Sequence, residues 1–222
     1  MSLENDGYEW TAIPVELTEK ILSECKGLLD SSSQKFGLRN ILSRSSVLAS
    51  LVELHLLPIA KQKLGPKTFI VRSTLFNKPL DTNWAVPWHQ DVTIEVKEKY
   101  EVEGFGPWSV KDGLISVQPP TEVLEQMITL RLHLDAVDES NGALWVDPGS
   151  HLLGKLRIDE IIPKAPLACC GEQGSILLMK PLLFHASNRS IENRSRRVLH
   201  LDFASEPLPS LLKWRDDVLP AF

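Results

Sequence analysis

Cysteine is scarce in this chain of 222 residues: Cys25, Cys169 and Cys170 are the only three. An odd number without zinc-type spacing excludes a disulfide framework and a structural zinc site, and reads as idle thiols in a reducing compartment. Long hydrophobic runs are missing too. No apolar stretch approaches the roughly 18 residues of a membrane span, and no basic patch precedes an apolar core at the N-terminus. We therefore expect a soluble, cytoplasmic protein with no membrane partner. The chain also lacks any long Lys/Arg block and carries a net charge of −5, so nucleic acid is excluded as a partner. No internal repeat is evident. The length suits one domain spanning residues 1–222 with a substantial core.

What is present changes in texture along the chain. Leu17, Ile21, Leu22, Cys25, Leu28 and Leu29 form a helical stripe within residues 13–30. Ser46 is placed to cap a second helix through Val47, Leu48, Leu51, Val52 and Leu54, which Pro58 should kink or end, and Gly65-Pro66 stops the segment. Residues 1–66 are thus expected to form a helical support layer, with His55 a structural residue in it. From Thr68 the sequence turns to short strand-like runs separated by Pro, Gly and Asn, including TFIVRSTLF, MITLRLHLD, ALWV, SILLM, PLLFHAS and RRVLHLDFA. Such runs predict an antiparallel jelly-roll core over residues 67–205, mainly β with flanking helices. Asn141-Gly142 supplies a tight turn ahead of ALWV. Residues 96–120 interrupt the strands with a charged, Gly/Pro-punctuated stretch bearing Tyr100, Phe105 and Trp108. Either a lid over the barrel mouth or a mobile surface insertion fits it, and three aromatic rings favour the lid.

The chemistry centres on WAVPWHQD, residues 84–91. Side chains two apart on a strand share a face, so His89 and Asp91 point together into whatever that face lines. A metal needs a third ligand from a distant strand, and His185 in KPLLFHASN is the natural candidate. Two histidines and a carboxylate with open positions form the facial triad of non-haem Fe(II) oxygenases. Arg196 and Arg197 open the next strand-like run. An arginine buried in a barrel wall is costly unless an anion meets it, and a dicarboxylate bound end-on to the metal would be that anion.

Taken together, WHQD, NGALWVDPGSH, HASNRS and the following arginine resemble the phytanoyl-CoA dioxygenase family of Fe(II)/2-oxoglutarate-dependent oxygenases, over about residues 37–203. The resemblance implies a double-stranded β-helix (cupin-like) barrel with His89, Asp91 and His185 as catalytic iron ligands. It also implies 2-oxoglutarate chelating iron(II) through its oxo-acid end, with its far carboxylate on Arg196. Alternation would then turn Val198 and His200 inward with Arg196, and Arg197 outward with Leu199, Leu201 and Phe203. The implied reaction consumes dioxygen, releases succinate and carbon dioxide, and hydroxylates a C–H bond of a small molecule. In related halogenases a small residue replaces the carboxylate ligand, so Asp91 favours hydroxylation.

Secondary positions are weighed separately. Arg72 and Asn83 are expected near the co-substrate, with a barrel-wall salt bridge as the other reading of Arg72. Trp88 and Gln118 are candidate substrate contacts, Gln118 with a turn-stabilising alternative. In MITLRLHLD, Thr129, Arg131, His133 and Asp135 share one face, either solvent or lumen. The family commonly has apolar or small residues at Arg131 and His133, so a luminal face would suit a polar or anionic substrate. His151 in DPGSH is expected to be structural. A cupin-type metal enzyme without co-substrate, or a non-catalytic jelly-roll binding module, would account for fewer of these features. The sequence leaves the substrate and the oligomeric state open.

Overall fold

The computed structural model describes residues 1–34, 36–78, 84–111, 113–192 and 194–216. The N-terminal part mixes helices with two short strands: β1 (Tyr8–Ala12), α1 (Val15–Asp30), β2 (Gly37–Arg39), α2 (Ser46–His55) and α3 (Leu57–Leu64). In α1 the apolar stripe buries Ile21, Leu22 and Cys25. Ser45, one residue before the expected cap, opens α2, its hydroxyl accepting from the Leu48 N–H at 3.1 Å. Pro58 falls in the first turn of α3, where its missing N–H costs no helical bond, so it separates two helices. The expected all-helical layer is corrected by β1 and β2, which add to the two edges of the main sheet. Sheet edges carry unpaired N–H and C=O groups that a passing segment satisfies.

The remaining elements are β3 (Phe69–Lys78), β4 (Val86–His89), β5 (Ile94–Val96), β6 (Trp108–Lys111), β7 (Leu114–Val117), α4 (Thr121–Glu125), β8 (Met127–His133), β9 (Leu144–Val146), β10 (Leu167–Cys169), β11 (Ser175–Met179), β12 (His185–Ser187) and β13 (Arg196–Ala204). Two antiparallel sheets make the jelly roll. The larger has the order β1-β11-β8-β13-β3-β2 and the smaller β10-β9-β12-β4.

Alternation in the central strands sets the layers. Ile128, Leu130 and Leu132 of β8 and Leu199, Leu201 and Phe203 of β13 are fully buried against Ile21, Leu48 and Val52 of the helices. Their alternating partners, among them Arg131, Arg196 and His200, face a cavity closed on the other side by His89, Leu144 and His185 of the smaller sheet. The polar face of β8 thus brings Arg131 to the lumen. It ends at His133, so Asp135 lies beyond the alternation and pairs with Arg197 instead.

The expected lid is a folded sheet, β5-β7-β6. Phe105 is buried, and Tyr100 and Trp108 are half-buried, in a cluster with Phe69, Val71 and Trp214. None of the described residues from 96 to 120 lines the central cavity. Packing the rings on the barrel flank removes their apolar surface from water without a closing movement. Among the described residues no helix is long and apolar enough to cross a membrane.

Candidate metal centre

The cavity, about 270 Å³, lies between the two sheets. On the smaller sheet β12 pairs with β4 so that His185 is directly opposite His89, which brings their ring centroids to 4.1 Å. The strand stops at His89, so Asp91 reaches the same point from the connection between β4 and β5 rather than from within a strand. Gln90, between them, is buried and turned the other way. Its amide donates to the Leu182 and Gly154 carbonyls, both at 2.8 Å, and its oxygen accepts from the Leu156 N–H at 2.9 Å. The Asp91 N–H donates to the Pro181 carbonyl at 2.9 Å. One donor atom from each of His89, Asp91 and His185 then falls within 4.8 Å of the others.

The tautomers follow from these neighbours. His89 Nδ1 lies 2.8 Å from the Pro87 carbonyl and His185 Nδ1 lies 2.9 Å from that of Leu183. A carbonyl can only accept, so each Nδ1 carries a proton and Nε2 is the ring nitrogen left for the cavity. Burial pushes His185 down to about 4, against the opposing pull of Asp91. Asp91 is held below the usual carboxylate range in spite of its burial, the Arg72 guanidinium being the standing positive charge beside it. At neutral pH a lone pair on His185 Nε2 thus faces a carboxylate oxygen of Asp91 at 3.6 Å with no proton to share. Such an arrangement is repulsive unless a cation lies between the donors, and its nitrogen and oxygen set suits divalent iron.

Cations line the opposite wall. Arg196 is buried, and its Nε has no partner among the described residues; burial, then the charge of Arg131, pull it down to about 10. Lys78, paired with Arg196 across β3 and β13, is brought down to about 8 by burial and by Arg196 and Arg189. Its ammonium donates to the Asn188 carbonyl at 2.9 Å. Gly142, at φ +83°, permits this approach, because a Cβ there would stand 2.9 Å from the Asn188 oxygen and 3.1 Å from Lys78 Nζ. Arg197 points away, its Nε 2.8 Å from Asp135. An uncompensated pair of buried cations invites a carboxylate.

The other sequence candidates divide. Arg131 lines the cavity; His133, one step further along β8, does not, and instead meets the Trp10 ring edge to face at 5.6 Å. Arg72 lines the cavity but is engaged by the Asp202 carboxylate, so it steadies the charge balance around Asp91 instead of offering a free fork. Trp88 projects from the face opposite its neighbour His89 and is not part of the cavity wall. Gln118 lies in a neighbouring cleft that shares His89, beside Lys155 and Ile158. Asn83 lies outside the described residues. His151 donates from Nε2 to the Glu4 carbonyl at 3.2 Å, a structural contact. Gln90, Lys78, Phe76 and Ser187 were not singled out by the sequence, although the alternation of Lys78 and Phe76 with Arg72 on one strand face could have flagged them.

His133 also carries a pH prediction. Burial, then the Arg131 and Arg196 guanidiniums, push its imidazole from 6.5 down to about 4. Between those values the unfolded chain takes up a proton that the folded one refuses, so stability should fall as pH drops from 6.5 towards about 4. Denaturant melts across that window should show a shallower decline in His133→Asn. An identical decline would mean that the folded imidazole ionises freely.

Several solved structures share this fold. EctD from S. alaskensis with bound Fe is 22% identical, covers 91% of this chain and 74% of its own, and superposes with a TM-score of 0.69. The non-heme alpha ketoglutarate dependent carbocyclase SnoK from nogalamycin biosynthesis is 14% identical over 97% of this chain and 85% of its own, with a TM-score of 0.69. AviO1 from Streptomyces viridochromogenes Tue57 is 17% identical over 94% of each chain, with a TM-score of 0.66. These likenesses establish the fold. No curated protein matches the chain in sequence. A family model, however, matches residues 16–198, from α1 through the start of β13, and on that match the chain belongs to the phytanoyl-CoA dioxygenase (PhyH) family.

Proposed function

We propose that this chain is an Fe(II)/2-oxoglutarate-dependent oxygenase that hydroxylates a C–H bond of a small molecule. In this reading His89, Asp91 and His185 hold the metal, and Arg196 with Lys78 receives the far carboxylate of 2-oxoglutarate. The observation that carries it is the pair of unprotonated donors, His185 Nε2 and Asp91 Oδ2, facing each other at 3.6 Å. Bound iron supplies the chemistry: dioxygen and 2-oxoglutarate give succinate and carbon dioxide, and the second oxygen atom enters the substrate as a hydroxyl.

The chain's own part is placement. The carbonyls of Pro87 and Leu183 fix the imidazole tautomers, and Gln90 pins the connection that brings Asp91 inward. Phe76, Trp84, Val86 and Leu144 give the cavity apolar walls that keep water from the reacting carbon. Three unpaired thiols, two of them buried, suit the reducing cytoplasm.

Purified protein supplied with iron(II), ascorbate and 2-oxoglutarate should release succinate, and a metabolite screen should reveal compounds that accelerate it. No iron-dependent succinate under any condition, in a protein that binds the metal, would sink the assignment.

A further inference from the structure

The cavity holds one more buried cation than a single far carboxylate requires. Arg131 is 9% exposed, lines the cavity wall, and its Nε has no partner among the described residues. Its orientation is fixed from behind. Arg131 Nη1 donates to His200 Nδ1 at 3.1 Å, and His200 Nε2 faces Asp202 Oδ1 at 3.0 Å. Thr129 donates to the same carboxylate oxygen at 2.6 Å, and Arg72 engages its other oxygen. A cationic side chain held this firmly in a cavity wall, with no carboxylate paired to it among the described residues, is built to receive an acceptor.

Strand register says which part of the cavity that acceptor occupies. Arg131 pairs with His200, and Asp202 with Arg72 and Thr129, whereas Arg196 pairs with Lys78 at the other end of β13. Arg196 and His200 are four residues apart, about 13 Å along an extended strand. Arg131 is tied through His200 to Asp202 and so to Arg72, and the Asp91 charge acts on both guanidiniums, whereas Arg196 lies beside Lys78. Arg131 therefore stands at the metal end of the cavity and Arg196 at the far end. A cation beside the metal needs an anion between the two.

We infer that Arg131 binds the carboxylate at the oxo-acid end of 2-oxoglutarate, so that the two arginines clamp both ends of one dianion. The inference rests on the oxygenase reading above. It makes Arg131 a second co-substrate determinant, with His200, Asp202 and Arg72 as the positioning residues behind it. The same chemistry could come from a carboxylate on the hydroxylated substrate, and the ligand series below separates the two.

Calorimetric titration of manganese-loaded protein with 2-oxoglutarate and with 2-oxobutyrate, which keeps the oxo-acid end and lacks the far carboxylate, provides the test. Arg131→Gln should weaken both ligands by about tenfold or more. Arg196→Gln should weaken 2-oxoglutarate by a similar factor and leave 2-oxobutyrate unchanged. Arg131→Lys keeps the buried charge and so protects folding; it should still weaken both ligands, by a smaller factor. Wild-type affinity for both oxo acids in either folded Arg131 variant, with loss confined to substrate-stimulated turnover, would put the carboxylate on the substrate and overturn the inference. Failure of the wild-type protein to bind 2-oxoglutarate at all would instead overturn the oxygenase reading itself.

Discussion

Replacing Asp91 with alanine should strip the protein of iron and with it all succinate release. Asp91 is the one anionic donor of the proposed set, held below the usual carboxylate range beside the Arg72 guanidinium in spite of its burial. Removing it leaves two imidazole nitrogens, a site that holds a divalent metal weakly and without the charge that balances it. Loss of a partner that merely orients a ligand typically costs 10–100-fold in metal affinity, so loss of the ligand should exceed about a hundredfold. Calorimetric titration with manganese(II) and metal analysis of the purified variant measure this directly. Folding should survive, because the Asp91 carboxylate is not part of the apolar core and the backbone bond to Pro181 remains. A variant that retains one metal per chain at wild-type affinity would remove Asp91 from the site.

Substituting Arg196 with lysine should raise the dissociation constant for 2-oxoglutarate by about 10–100-fold while metal affinity stays as it is. Hydrogen bonds to charged groups contribute about 1.5–3 kcal/mol, and an ammonium cannot reproduce the planar two-pronged contact. Arg197→Lys is the matched control. That side chain is engaged by Asp135 outside the cavity, so the change should cost some stability and leave 2-oxoglutarate affinity untouched. Full 2-oxoglutarate affinity in Arg196→Lys, or its loss in Arg197→Lys, would reverse the assignment.

The convergence of His89, Asp91 and His185 was legible because ligand chemistry restricts the residue types so sharply. A histidine and a carboxylate two apart, followed by a later histidine, leave few other ways to build a three-donor site. That Arg196 and not Arg197 faces the cavity was legible for a different reason: RRVLHLDFA alternates, and apart from Arg197 one face of it is apolar, with Leu199, Leu201 and Phe203. The jelly roll showed in the short strands and turns. The first 66 residues were harder, since β1 and β2 are too short to announce themselves and form only because the main sheet offers edges to pair with.

Residues 96–120 show the limit most plainly. Their three aromatic rings favour a lid over a mobile surface insertion, and it is the apolar surface of Phe69, Val71 and Trp214 beside them that takes those rings up. Arg131 and His133 make the same point at the site. They share a face of one strand, yet across β13 the first meets His200 and the second Val198, so one reaches the cavity and the other is buried against Trp10. By itself the sequence determined which residue types could hold a metal and which side chains share a face, because both are set by local chemistry and by the two-residue period of a strand. Only the tertiary structure decided which of those faces meets the cavity and at what depth, and which carbonyls, amides and counter-charges stand behind each ligand, because those depend on register between strands far apart in the chain.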